Sequence, residues 1–159
     1  MRFCGRLAGA LLLAAAGCRQ DDPGPAALRL TTEQFRSLAW LEGGWRGRDS
    51  ALVFYERYRL LDDSTLRGYS YADSAMAAPT DSGLIEMRGG RVETGTDQAR
   101  WVVTAISGDS VRFDPVHGAT NSFTWRRDGP DAWNAVLVFR DSAGGTRVKS
   151  YRMERWPPR

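Results

Sequence analysis

The 159-residue sequence has few of the residues that most often carry chemistry. It contains one histidine, two cysteines and, among 22 basic residues, a single lysine at position 149. One histidine with no cysteine free to join it leaves too few nitrogen and sulfur ligands for a zinc site. The sequence also lacks a glycine-rich phosphate loop and a nucleophile elbow. We therefore expect no metal, no cofactor and no enzymatic activity.

A strong excess of one charge is also missing. The formal net charge is +3. Without Arg2 and Arg6, which lie in a segment that we expect to be removed, 20 basic and 19 acidic residues leave +1. So small a charge creates no field for a polyanion, and nucleic acid is not an expected partner.

The first eighteen residues have the layout of a secretory signal. A basic start precedes an apolar run over 7–16, which is about half the ~20 residues of a spanning helix. The next residues, Ala15-Ala16-Gly17-Cys18, resemble the lipobox of bacterial lipoproteins, with Ala15 in place of the usual leucine. The resemblance implies cleavage before Cys18 and a lipid on its thiol, which makes membrane lipid a partner. An ordinary secretory signal with an incidental cysteine is the alternative.

The residues around Cys18 also predict where the chain resides and how it is organised. Position 19 is arginine, whereas aspartate there marks inner-membrane retention in enteric bacteria. We therefore expect a lipid-anchored protein of the bacterial cell envelope, at the outer membrane and facing the periplasm. Prolines and aspartates over 21–25 predict a tether. The expected organisation is a signal peptide over 1–17, a lipidated tether over 18–30 and one domain over 31–159.

One short helix is predicted at the start of that domain. Thr31 and Gln34 fit a capping box, and Leu30 and Phe35 occupy the flanking staple positions, which predicts a helix over 32–38. We expect this helix to cover the outer face of the strand that follows, because the 52–60 segment is largely apolar on both faces.

Strands and turns are predicted for the rest of the chain. No stretch after Trp40 has helical length and period, and turn residues recur about every 8–12 positions. The fold class is therefore all-β, an antiparallel barrel of about 8–10 strands with one short N-terminal helix. Residues 72–83 are predicted to form a loop. The predicted strands cover residues 45–48, 52–60, 65–71, 84–87, 92–94, 101–106, 110–113, 122–127, 133–140 and 148–156.

A family resemblance agrees with this fold. The segment 40–47, Trp-Leu-Glu-Gly-Gly-Trp-Arg-Gly, resembles the opening Gly-x-Trp motif of the calycin superfamily, which includes lipocalins, fatty-acid-binding proteins and nitrobindin-like barrels. It is closer to a bacterial family of lipocalin-like domains of unknown function. The motifs shared with that family, in order, are Phe54-Tyr55-Glu56-Arg57-Tyr58, Thr65-Leu66-Arg67-Gly68, Asp114-Pro115-Val116-His117 and Trp125-Arg126-Arg127. The chain departs from it at Gly118-Ala119-Thr120, where the family has Asp-Phe-Pro.

Glycines flank the tryptophan of the calycin-like motif. Gly43 and Gly47 lie on either side of Trp45, so the backbone can bend sharply there. We therefore expect Trp45 to plug the closed end of the barrel.

Four residues are candidate ligand contacts: Glu56, Tyr58, His117 and Trp125. Glu56 either anchors a polar ligand group inside the barrel or pairs with Arg67 across the next hairpin. His117 either orients a ligand or caps a turn. Nitrobindin-like barrels bind haem through a histidine, but a loop with little support for His117 argues against haem here. Trp125 either lines the cavity or fills the core.

Two functions follow from these alternatives. The first is a binding module that holds a small apolar or amphipathic ligand inside the barrel. The second is a structural or interaction lipoprotein whose barrel is filled by its own side chains. A cavity above about 300 Å³ favours the first. The sequence predicts no oligomeric state.

Overall fold

The computed structural model describes residues 25–140 and 144–157. The predicted signal peptide, Cys18 and the first half of the tether lie outside the described residues. The elements in chain order are α1 (Thr32–Arg36), a 3₁₀ helix (Ser37–Leu41), β1 (Gly43–Arg48), β2 (Val53–Asp62), β3 (Thr65–Tyr71), β4 (Pro79–Arg88), β5 (Arg91–Gly95), β6 (Arg100–Ser107), β7 (Ser110–His117), β8 (Asn121–Arg127), β9 (Ala132–Arg140) and β10 (Thr146–Arg155).

Ten antiparallel strands close into one barrel. Each strand pairs with the next in sequence, and β10 returns to pair with β1. Because antiparallel neighbours need only short connections, sequential hairpins can build the whole sheet. Closure pairs the first strand with the last and so protects the edges that an open sheet would expose. The predicted all-β antiparallel barrel is confirmed.

The helix starts as the sequence predicts. The Gln34 N–H donates to the Thr31 hydroxyl oxygen at 3.2 Å, and the Thr31 N–H donates to Gln34 Oε1 at 2.8 Å. This reciprocal pair satisfies two of the backbone donors that a helix start leaves open. The α-helix ends at Arg36, and a 3₁₀ turn carries the chain on to Leu41.

The helix lies at one end of the barrel and not, as expected, on the outer face of β2. Phe35, Leu38 and Leu41 are buried and join the interior side-chain cluster, so the helix closes one end of the barrel. The outer face of β2 is uncovered, with Val53 55% and Leu61 43% exposed. Burying three apolar side chains against the barrel interior stabilises the helix more than packing on a wall that also carries arginines.

The helix end of the barrel is filled by its own side chains. Trp45 is fully buried, and its indole N–H donates to the Leu41 carbonyl at 2.6 Å. Its ring packs edge to face on Trp133, with 6.0 Å between ring centroids. The predicted burial of Trp45 is confirmed. The Phe54 ring packs directly on Gly47, where an added Cβ would lie only 2.2 Å from it and would force the ring to move.

Two strands are longer, by four or more residues, than the sequence predicts. β4 begins at Pro79, so residues 79–83 belong to the strand and not to the predicted loop. β7 extends through Pro115 to His117, which therefore lies at a strand end opposite Arg100. Neither extension has the apolar alternation of a strand. Both extensions are strands because their residues pair with a neighbouring strand: β4 pairs with β3, and β7 pairs with β6.

Candidate functional site

Beyond the packed end, the barrel has a cavity of about 180 Å³ that is open to solvent on one side, and we call it the interior cavity. Its volume is below the ~300 Å³ at which pockets for drug-sized ligands begin, so it has room only for a small group. Its lining residues are Glu56, Tyr58, Gly68, Tyr69, Ser70, Asp81, Ser82, Gly83, Ile85, Thr94, Phe123 and Trp125.

Strand alternation brings the polar lining together. On β2, Glu56 and Tyr58 are two residues apart and therefore face the same side of the sheet. Glu56 lies opposite Ser70 of β3, and Ser70 lies opposite Asp81 of β4. Three neighbouring strands thus contribute polar side chains at one level of the barrel.

Two glycines make the space. Tyr58 lies opposite Gly68, and Gly68 lies opposite Gly83. A Cβ at Gly68 would be 3.0 Å from the Tyr58 ring, whereas a Cβ at Gly83 would meet nothing within 4 Å. The missing side chain at Gly83 therefore leaves part of the cavity open.

One wall of the interior cavity is aromatic. The rings of Tyr58 and Trp125 are 5.7 Å apart between centroids and meet edge to face. Phe123 packs against Trp125 at 5.5 Å. Because all three residues belong to the cavity lining, the cavity is bounded by rings whose faces carry negative electrostatic potential.

The cavity lining is also acidic. Glu56 is partly buried, and its Oε2 accepts a hydrogen bond of 2.8 Å from the Tyr58 hydroxyl. Asp81 accepts a backbone hydrogen bond from Ser82 at 2.8 Å. The cavity lining includes these two carboxylates and no basic side chain.

Burial changes the titration of the Glu56–Tyr58 pair. Loss of water raises the pKa of the Glu56 carboxyl above its ordinary value of 4.5, and the Tyr58 hydrogen bond offsets part of that rise. Burial, with the adjacent Glu56 charge, raises the pKa of Tyr58 well above 10.0. Tyr58 therefore stays protonated, and its hydroxyl donates a hydrogen bond to the Glu56 carboxylate.

The barrel wall is open beside the cavity. On its β5 side, β4 is paired only through residues 85–88, so residues 79–84 run past the end of β5. A groove of about 750 Å³ lies outside this region, over β3–β6, and we call it the outer groove. Ser82, Gly83 and Thr94 line both the groove and the interior cavity. The gap between β4 and β5 is therefore where the cavity comes closest to solvent.

The structure brings together three of the four predicted ligand contacts. Glu56, Tyr58 and Trp125 line one cavity, whereas His117 is exposed at the end of β7 and is not part of the lining. The alternative ion pair between Glu56 and Arg67 is wrong. Arg67 lies opposite Arg59 on the outward side of the sheet and lines the outer groove, whereas Glu56 faces inward.

Several lining residues were missed by the sequence reasoning. Phe123 alternates with Trp125 and shares its face, which is a signal that could have identified it. Asp81 and Gly83 had no such signal, because they lie in a polar stretch that predicts a loop. Only the pairing of β4 with β3 places them at the cavity.

A second charged feature lies on the outside of the barrel. Between Val53 and Tyr71, the outward-facing residues of β2 and β3 include no aspartate or glutamate except at the hairpin tip, residues 62–63. We call this outward surface the acid-free face. It carries Arg57, Arg59 and Arg67, none of which has a carboxylate partner among the described residues. Arg59 and Arg67 face each other directly, a placement that destabilises a sheet.

The described residues contain neither a membrane-spanning helix nor a metal-binding cluster. Within 25–140 and 144–157, no helix is long and apolar enough to cross a membrane. The same residues contain no group of three or more His, Cys, Asp or Glu side chains that could hold a metal ion.

The fold and the cavity together define a closed ten-strand antiparallel barrel with a small, acidic and aromatic interior site. No family model matches the chain. No curated protein matches it. Among solved structures, it is similar to a redesigned β-barrel, with 14% identity, a TM-score of 0.37, and coverage of 76% of this chain and 95% of that one. At that score the likeness carries no argument about function.

Proposed function

We propose that this chain is a lipid-anchored protein of the bacterial cell envelope whose calycin-like barrel binds a small amphipathic ligand. The interior cavity is the observation that carries the proposal, because it combines an aromatic wall with polar groups. Pockets that bind small molecules have this composition, a mainly apolar lining with a few placed polar groups. The anchoring part of the proposal is supported by the basic start, the apolar run and Ala15-Ala16-Gly17-Cys18.

The cavity's size limits the ligand. At about 180 Å³ it is smaller than the ~300–1,000 Å³ of pockets that enclose drug-sized molecules. We infer that the barrel holds a compact molecule, or one compact end of a longer molecule that extends through the gap between β4 and β5. The cavity's aromatic wall would bury the apolar part, and Glu56 and Tyr58 would orient the polar part.

Native mass spectrometry of the chain purified from its host tests this proposal. The expected result is a reproducible mass increase from a small co-purifying molecule. A matched Gly83→Val variant should lose that mass increase and keep its fold, because a side chain at Gly83 would project into open space within the cavity. No bound mass on the wild-type chain, or the same mass on the Gly83→Val variant, would contradict ligand binding in the interior cavity.

A second candidate function is an interaction lipoprotein that uses its outer surface. The acid-free face favours it, because three arginines without carboxylate partners lie beside Tyr69 and Tyr71. Clustered like charges reduce stability, so their presence on one face is consistent with an anionic partner.

Site-specific photo-crosslinking in host cells tests the second function. A photoreactive side chain at Tyr71 should yield one discrete adduct, and Arg59→Gln with Arg67→Gln should reduce it. The matched control carries the same group at Val148, which is 58% exposed on β10. Equal adducts from both positions would contradict a specific interaction at the acid-free face.

A further inference from the structure

We propose that the ligand of the interior cavity is a small organic cation, such as a protonated amine or a quaternary ammonium group. This inference rests on the proposed function and deepens it, because it names the chemical class of the molecule that the cavity binds. Three features of the cavity carry it: uncompensated negative charge, an aromatic wall and a donor set unsuited to metals.

The charge of the cavity is not balanced by the protein. Glu56 and Asp81 are the ionisable acids of the lining, and neither has an ion-pair partner in the part of the chain that the structure describes. Elsewhere on the barrel, a partly buried carboxylate has an arginine: Asp114 binds Arg112 at 2.7 Å. Asp81 is exposed to solvent, whereas Glu56 is partly buried, and a partly buried carboxylate without a counter-ion is costly. A cation bound beside Glu56 would remove that cost.

The aromatic wall favours the same kind of ligand. Trp125 contacts both Tyr58 and Phe123, and all three rings line the cavity. Cations bind over the faces of aromatic rings, and cages of such rings beside a carboxylate recognise quaternary ammonium groups. A ligand anion would be repelled by Glu56 and Asp81, and a neutral molecule would leave their charge unbalanced.

The donor set distinguishes an organic cation from a metal ion. A hard metal ion in a protein takes six or more oxygen ligands or retains several waters. The cavity lining has two carboxylates, and among the described residues no group of three or more His, Cys, Asp or Glu side chains could hold a metal ion. An ammonium group needs one carboxylate and gains from the rings, so its requirements match the groups present.

A pair of probes with the same shape tests the inference. Choline carries a trimethylammonium group, and 3,3-dimethylbutan-1-ol replaces its nitrogen with carbon and is neutral. Isothermal titration of the purified full-length chain in a non-ionic detergent would measure both dissociation constants. We expect choline to bind at least about tenfold more tightly than the alcohol.

The outcomes separate this inference from the proposed function. If both probes bind equally, the cavity takes ligands but does not select cations, and the inference fails alone. If the alcohol binds more tightly, the inference fails in the same way. If neither probe binds, the inference fails, and the native mass measurement on the chain from its host then decides the proposed function independently.

Variants place the binding in the interior cavity. Glu56→Gln keeps the shape and the Tyr58 hydrogen bond but removes the charge, so it should weaken choline about tenfold and leave the alcohol unchanged. Asp81→Asn is a second charge-removing variant at the exposed rim, and it should weaken choline in the same direction. Glu154→Gln is the matched control, because Glu154 binds Arg46 outside the cavity. Unchanged choline affinity in Glu56→Gln would overturn the assignment.

Discussion

At the scale of single residues, two glutamates show how environment decides what a carboxylate contributes. Glu154 accepts hydrogen bonds from Arg46 and Arg48, and the Arg46 hydrogen bond chiefly lowers its pKa. Glu56 has only a neutral hydroxyl, so burial raises its pKa. The charge at Glu154 therefore stabilises the fold, and the charge at Glu56 destabilises it. A destabilising group at the cavity is consistent with a binding role.

Glu56→Gln should therefore stabilise the ligand-free barrel near neutral pH. A carboxyl whose folded pKa is raised destabilises the fold above that pKa and has no such effect below its ordinary value of 4.5. The gain in unfolding free energy should shrink as the pH falls through the raised pKa towards 4.5. Tyr58, Tyr69 and Asp81 are the other titratable groups of the cavity lining, and Tyr58 stays protonated over this range.

Urea unfolding of the wild-type chain and both glutamine variants across this pH range measures the effect. Glu154→Gln is the control of opposite sign, because its native charge is stabilising and its loss should destabilise the fold at neutral pH. A Glu56→Gln variant that is less stable than the wild-type chain at neutral pH would contradict the account of Glu56.

Trp45→Ala tests the packed end of the barrel. Trp45 is fully buried against Trp133, so its truncation should cost about 3–5 kcal/mol, as large-to-small core changes do. Val148→Ala is the surface control and should change the free energy of unfolding by less than about 0.5 kcal/mol. Urea unfolding measures both. A loss below about 1 kcal/mol for Trp45→Ala would show that the helix end is not tightly packed.

At the scale of elements, the sequence predicted the helix start, all ten strands and most of their boundaries. Those predictions depend on local signals: the Thr31 cap, alternating apolar residues and glycine or aspartate turns. The extension of β4 over residues 79–83 had no local signal, because Thr80, Asp81, Ser82 and Gly83 are poor strand formers. Their strand conformation comes from pairing with β3, which is a non-local interaction.

The glycines of β1 and β4 give a matched test of packing. Gly47→Ala would place Cβ against the Phe54 ring and should cost about 1–3 kcal/mol, as overpacking does. Gly83→Ala meets open space and removes backbone freedom from the unfolded chain, so it should stabilise by up to about 1 kcal/mol. Thermal or urea unfolding of the two variants measures the difference. Equal effects would contradict an open cavity beside Gly83.

At the scale of the whole molecule, the closed barrel could be predicted, but the site could be predicted only in part. The shared face of Glu56 and Tyr58 followed from the period of a strand, as did that of Phe123 and Trp125, but the sequence leaves open whether Glu56 faces inward. The cavity depends on Gly68, Gly83 and the short β5, whose effects appear only when four strands are assembled. His117 shows the reverse: its residue type indicated a site, but its place at an exposed strand end lies outside the cavity lining.

Cys18→Ser tests the proposed anchor. The substitution removes the thiol that would carry the lipid, so the chain should leave the membrane fraction and fail to incorporate labelled fatty acid. The control is Cys4→Ser, because Cys4 lies within the segment that is expected to be cleaved. A Cys18→Ser chain that stays with the membranes, with no change in labelling, would contradict the lipoprotein assignment.

The central claim is that a ligand binds inside the barrel, and locating a bound probe tests it most directly. Nuclear Overhauser effects from the methyl protons of bound choline or 3,3-dimethylbutan-1-ol identify the rings that they touch. The account predicts contacts to Tyr58 and Trp125, which line the cavity, and none to Trp156, which lies beyond the end of β10. Contacts confined to Trp156 or to Tyr71 of the acid-free face would place the binding site outside the barrel and contradict the claim.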